Sequence, residues 1–204
     1  MAEYVHRVTG LRHAHTNKAP QDSGYQGDLA RTLSEPGRAQ AAARRRSLGN
    51  PTYHRIGSSP LLRARETALL VGGVSNADRL TLIDEIGVED PATGGDAQAI
   101  DVLFNQLGYA PLKAYHEADS AVMDRYANRA WGGIKNFLAP ATRDERNLIV
   151  GHAVLICAAF LPAVQGYPAM ADQLMNLNLN ECGGFLIVLR GDEVQDFIVF
   201  NEKL

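Results

Sequence analysis

From Asn147 to Ala171 the chain carries no Lys, Arg, Asp or Glu, and so long an uncharged run either crosses a membrane or lies inside a folded core. Its own punctuation decides between the two. Gly151-His152, Pro162, Gly166 and Pro168 interrupt the run, leaving no stretch near the roughly 20 apolar residues that a membrane-spanning helix needs. It reads instead as a buried strand, Asn147 to Gly151, followed by a buried helix that starts near Ala153 and ends around Pro162. A strand that passes straight into a buried helix belongs to a parallel sheet with helices packed on its faces.

The remaining sequence repeats that alternation. A strand at about Tyr4 to Leu11 leads into a polar, turn-rich segment from Arg12 to Gly27. Ser34 is placed to cap a helix with Glu35 and Pro36 in its first turn, running to Gly49. A strand at His54 to Ser58 is followed by Ser59-Pro60, read as a cap and first helical residue, and by a helix from Leu61 to Gly72-Gly73. A strand at Arg79 to Asp84 precedes a loop from Gly87 to Asp96, and Ala97 to Leu138 is mainly helical with a break at Gly108 to Pro111. Two strand-like runs, Gly184 to Arg190 and Val194 to Asn201, join through Gly191-Asp192. The expected fold is α/β, a three-layer sandwich whose central sheet is mostly parallel, with helices on both faces and an antiparallel edge. With 204 residues, the chain is expected to be a single domain, 1–204, with a helical cap inserted at about 87–129.

Charge narrows the partners. Lys+Arg 20 against Asp+Glu 23 gives a net charge of −3, so no bulk positive field gathers nucleic acid or an anionic membrane. Arg44, Arg45 and Arg46 are consecutive and spread around a helix, which reads as a solvated surface. Cys157 and Cys182 form no CxxC pair, and the N-terminus lacks the basic-then-apolar pattern of a secretory signal. The sequence therefore points to a cytoplasmic protein with a small-molecule partner, without nucleic acid or membrane, and leaves a homodimer open.

Four polar residues, His13, Arg63, Glu85 and His152, fall just beyond the ends of expected strands, where α/β sheets bind ligands. They sit in Leu11-Arg12-His13-Ala14, in Ser59-Pro60-Leu61-Leu62-Arg63-Ala64, in Asp84-Glu85-Ile86 and in Val150-Gly151-His152. In this order the four segments resemble the signature of the histidine phosphatase superfamily, also called phosphoglycerate mutase-like, over nearly the whole chain. The resemblance implies a phosphohistidine nucleophile at His13, a phosphate pocket of Arg12, Arg63 and His152, and a proton donor at Glu85. Thr16 resembles a hydroxyl residue that often follows the family's histidine motif and bonds phosphate.

The chemistry agrees with the residue types. A phosphomonoester resists attack through its own negative charge, and always-charged guanidiniums with paired donors offset that charge. A neutral His13 can take the phosphoryl group, splitting hydrolysis into two steps. Glu85 would protonate the leaving alkoxide and then activate water; Asp84 and Glu89 compete for that role. The scheme uses no cofactor and no metal.

Ala14 stands where the family has glycine, and His6, Thr9 and Gly10 make the first strand less apolar than usual. Ala153-Val154-Leu155-Ile156 lacks the Asn-Ser-Leu-Arg-like run of the mutases, which favours hydrolysis of a small phosphorylated metabolite over phosphoglycerate mutase-type transfer. Two other readings stay open: a metal-dependent hydrolase built on His13 and His15, whose His-x-His spacing suits a metal, and a non-catalytic phosphate-binding domain.

Overall fold

Six strands, β1 (Val5–Arg12), β2 (Arg55–Ser58), β3 (Leu80–Leu82), β4 (Glu145–Gly151), β5 (Gly184–Arg190) and β6 (Glu193–Phe200), form one sheet in the order β3-β2-β4-β1-β5-β6 in the computed structural model. The model describes residues 4–21 and 23–204; Met1, Ala2 and Glu3, part of the stretch read for a secretory signal, lie outside it. β3, β2, β4 and β1 run parallel, while β5 is antiparallel to both β1 and β6. The sheet is therefore mostly parallel with an antiparallel edge, as the alternating pattern and the final hairpin imply.

Eight helices accompany the strands among the described residues: α1 (Gly24–Leu29), α2 (Glu35–Ser47), α3 (Leu62–Gly72), α4 (Gly95–Leu107), α5 (Leu112–Ala118), α6 (Ser120–Leu138), α7 (Ala153–Val164) and α8 (Pro168–Met175). Successive residues of β4 point to opposite faces. Leu148 and Val150 join Ala41 of α2 and Ala64 and Val71 of α3, whereas Ile149 joins Ile134 of α6 and Phe160 of α7. These two apolar clusters fill the interfaces between the sheet and the helices on its two faces, which makes a three-layer sandwich. Every residue of α7 from Val154 to Leu161 is buried, and full burial of each large side chain contributes about 1.5–3 kcal/mol. That accounts for the uncharged run.

The helix runs through Pro162 to Val164 instead of ending there. Proline removes one backbone bond from the last turn, and the fully buried Val164 holds that turn against the core. Among the described residues no helix is long and apolar enough to cross a membrane.

Three local expectations are corrected. Two short helices, α1 and α8, occupy stretches without a clear sequence pattern. Ser59 caps no helix: α3 starts after Leu61, and the serine hydroxyl bonds elsewhere. The arginine triplet is not a solvated face, because Arg44 lies on one side of α2 with the buried Gly37 and Ala41, at a helical spacing. Fully buried, it donates from Nε to Cys182 O at 2.7 Å and from Nη2 to Glu202 O at 3.1 Å. Arg45 donates to Val71 O at 2.9 Å, and Arg46 alone is exposed. The polar composition of β1 does not expose it either, since Val8 and Thr9 are buried. Gly10 leaves room for the Phe185 ring, which a Cβ would meet at 2.7 Å.

Candidate active site

β1 and β2 flank β4, so their C-terminal ends emerge side by side. The pairing continues past the strands: His13 N–H donates to Gly151 O at 3.0 Å, and Ser59 N–H to Val150 O at 2.9 Å. Backbone bonding thus brings residues 13, 59 and 152 together although the chain separates them widely.

His13 and His152 face each other with ring centroids 5.3 Å apart at 63°. His13 Nδ1 lies 2.8 Å from Ala14 O; a carbonyl only accepts, so Nδ1 carries the proton and Nε2 keeps its lone pair. The ring is partly open to the cavity. Loss of bulk water, reinforced by Arg63, Arg12 and Arg31, holds its pKa down to about 3, so the ring is neutral under ordinary conditions. His152 is buried, and its pKa falls well below the usual value through burial and then through the charges of His13, Arg63 and Arg12. Its Nε2 lies 2.8 Å from Ser59 Oγ, which also accepts from Leu61 N–H at 3.4 Å. With that oxygen accepting from Leu61, its own hydroxyl proton is free to go to His152 Nε2. In the tautomer that accepts from Ser59, the proton of His152 is on Nδ1, an atom buried without a partner among the described residues.

The two arginines are anchored at their tips. Arg12 donates to Leu179 O at 2.6 Å, and its guanidinium lies 4.5 Å from the centroid of the Tyr109 ring. Arg63, in the first turn of α3, donates to Asp28 O at 2.7 Å and to Asp28 Oδ2 at 2.8 Å. Burial lowers the pKa of both guanidiniums. In each the Nε–H is buried without a partner among the described residues. Burial alone would raise the Asp28 carboxyl, but Arg63 and Arg31 outweigh it and keep it below the usual carboxylate range.

Sequence reasoning overlooked Asp28 and Arg31, which lie just past the segment, Arg12 to Gly27, read as turn-rich. Arg31 donates to Asp28 Oδ1 at 3.0 Å and to Asn17 O at 2.9 Å. Thr16, expected to bond phosphate, instead accepts from Arg31 through its hydroxyl and is buried in a bridge with Leu33. The i, i+3 spacing of Asp28 and Arg31 was the available signal, and only for their mutual pair.

A cavity of about 510 Å³ opens over His13 and His152, walled by Asp28 and Arg31 on one side and by Val88, Glu89, Phe104, Tyr109 and Arg129 on the other. The 87–129 segment therefore supplies its outer wall. Glu85 is not among the lining residues: its carboxylate packs on α6, where a Cβ on Gly133 would lie 2.6 Å from Oε2. Ile83 and Ile86 anchor that turn in the core. Glu89 faces the cavity and pairs with Arg129 at 2.7 Å.

Ala14 is fully buried in the cluster beside α2 and α3, and its N–H donates to Thr67 Oγ1 at 3.1 Å. Its methyl thus adds to the core on that side. His15 is exposed and bonds Ser34 Oγ at 2.6 Å. Among the described residues no three His, Cys, Asp or Glu side chains are gathered to hold a metal ion.

This constellation defines a class: an α/β domain with paired histidines and buried arginines at the ends of parallel strands. The family model described as the histidine phosphatase superfamily (branch 1) matches residues 11–193, and the chain belongs to that superfamily. Its members are phosphatases or mutases. No curated protein matches the chain. Among solved structures it is similar to mycobacterial glucosyl-3-phosphoglycerate phosphatase, with 21% identity, a TM-score of 0.62 and coverage of 98% of this chain and 100% of the other. It is also similar to phosphoserine phosphatase from Entamoeba histolytica (17%, TM-score 0.59, 95% and 96%) and to phosphoglycerate mutase from Bacillus anthracis (19%, TM-score 0.61, 98% and 94%). At these identities the likeness is one of fold.

Proposed function

We propose that this chain hydrolyses a phosphomonoester of a small metabolite through a phosphohistidine on His13. The observation that carries the reading is a set of three buried nitrogens without partners among the described residues, Arg12 Nε, Arg63 Nε and His152 Nδ1. The two arginines are close enough for their charges to lower the pKa of both His13 and His152. Unpaired buried donors are costly, and an anion held beside His13 would satisfy them together.

In the first step His13 Nε2 attacks phosphorus, the P–O bond to the alcohol breaks, and the leaving oxygen takes a proton. Glu89, the glutamate at the cavity, is the proposed donor in place of Glu85. In the second step water attacks the phosphohistidine, the N–P bond breaks, and inorganic phosphate leaves while Glu89 accepts the water's proton. The arginines and His152 hold the phosphoryl oxygens throughout, where charge develops. The 87–129 segment acts as the cap that selects the alcohol.

The test is hydrolysis of an aryl phosphate with and without EDTA, for the parent chain and His13→Ala, with acid-quenched trapping of ³²P on the protein. Activity that survives EDTA and label that disappears in His13→Ala are expected. Activity lost to EDTA and restored by zinc would favour the His13/His15 metal reading, whereas phosphate binding without turnover would leave a binding domain. Phosphoryl label passed to a second alcohol in preference to water would indicate a mutase.

A further inference from the structure

We infer that the alcohol this cavity takes is uncharged and carries a ring, in contrast to a short phosphorylated carboxylic acid; the inference rests on the phosphohydrolase reading and narrows its substrate class. Size is the first argument. The cavity's 510 Å³ corresponds to roughly 17 waters at about 30 Å³ each, and a three-carbon ester would leave much of that volume wet.

The second argument is the wall. Beyond the histidines it is formed by Val88, Ile100, Phe104, Tyr109, Val154 and Leu155. Phe104 and Tyr109 are 40% and 55% exposed, and their rings meet edge to face with centroids 5.5 Å apart. A pair of open aromatic rings at the rim of a cavity offers flat apolar area to a ring of the ligand.

Charge is the third. A carboxylate on the alcohol would need an unpaired cation at the outer wall. Arg129 is paired with Glu89; Arg31 is taken up by Asp28, Asn17 and Thr16. Asp101 also lines the cavity, bonded among the described residues only by the Asn105 amide at 3.0 Å. With Glu89 protonated to serve as the acid, Asp101 balances Arg129, so this end carries no net positive charge to receive an anionic leaving group.

The experiment compares kcat/KM for benzyl phosphate, its para-carboxylate, 3-phosphoglycerate and O-phosphoserine, all esters of ordinary alcohols. Benzyl phosphate is expected to exceed each carboxylated ester by about tenfold or more. Asp101→Asn should narrow the gap to the para-carboxylate, and Phe104→Ala, a change at an exposed side chain, should raise KM for benzyl phosphate. Equal or better turnover of the carboxylated esters would overturn the inference. The non-hydrolysable benzylphosphonate and its para-carboxylate, titrated calorimetrically, separate the two levels. A preference for the neutral ligand without turnover of any ester would sink the hydrolase reading and keep the cavity preference; equal binding would sink the preference alone.

Discussion

Acid should destabilise this protein through His13, and the size of the effect follows from its surroundings. The ring titrates near 6.5 when unfolded and at about 3 in the folded chain. Between those values the unfolded state binds a proton that the folded state refuses, so stability is lost as pH falls from 6.5 toward 3. At about pH 4.5, two units into that window, His13 accounts for a loss of about 2–3 kcal/mol. His152 and His6, both lowered mainly by burial, act with the same sign, so the parent chain loses more than this. Asp28 acts with the same sign in a lower window: its contribution persists above its unfolded pKa near 3.8 and is lost only further into acid. The assay is urea unfolding followed by fluorescence at about pH 7 and about pH 4.5, for the parent chain and His13→Asn. The variant, which cannot titrate at this position, is expected to lose about 2–3 kcal/mol less between the two conditions. Reading the change with pH, and not the absolute stability, removes any cost of the substitution itself. Equal losses in the two chains would refute the argument, because His13 would then bind its proton alike in both states.

Three further outcomes follow from contacts. Ser59→Ala frees His152 Nε2 from its hydroxyl partner, so kcat should drop while Ser59→Thr retains it, and ¹⁵N shifts of His152 should move away from the Nδ1-protonated tautomer. Glu89→Gln should slow hydrolysis of an alkyl phosphate by about 10²–10⁴-fold, with little effect of Glu85→Gln; the reverse ranking in steady-state rates would restore Glu85 as the acid. Arg44→Met leaves Cys182 O buried without its donor, and a loss of about 1–3 kcal/mol is expected in denaturant unfolding.

Much of the fold was legible in the chain. Strand and helix signals, the glycine break at 108, the Ser34 cap (its Oγ accepts from Gly37 N–H at 3.1 Å) and the closing hairpin are local features, set by residue spacing and by backbone bonds between near neighbours. The segments around His13, Arg63 and His152 were equally plain, because residues at strand ends gather at one edge of any parallel sheet. Side-chain direction is another matter. Whether Glu85 or Glu89 reaches the cavity depends on how Ile83 and Ile86 seat their turn against α6. Whether Arg44 meets water depends on a C-terminal segment more than 150 positions away, ending at Glu202. Ser59 looked like a cap and is a partner of His152 for the same reason: β2 and β4 pair in space, and no local spacing encodes that distance. The sequence by itself determined which groups stand at the sheet's edge; only tertiary packing decided which of them face the cavity, since orientation is set by contacts between segments far apart in the chain.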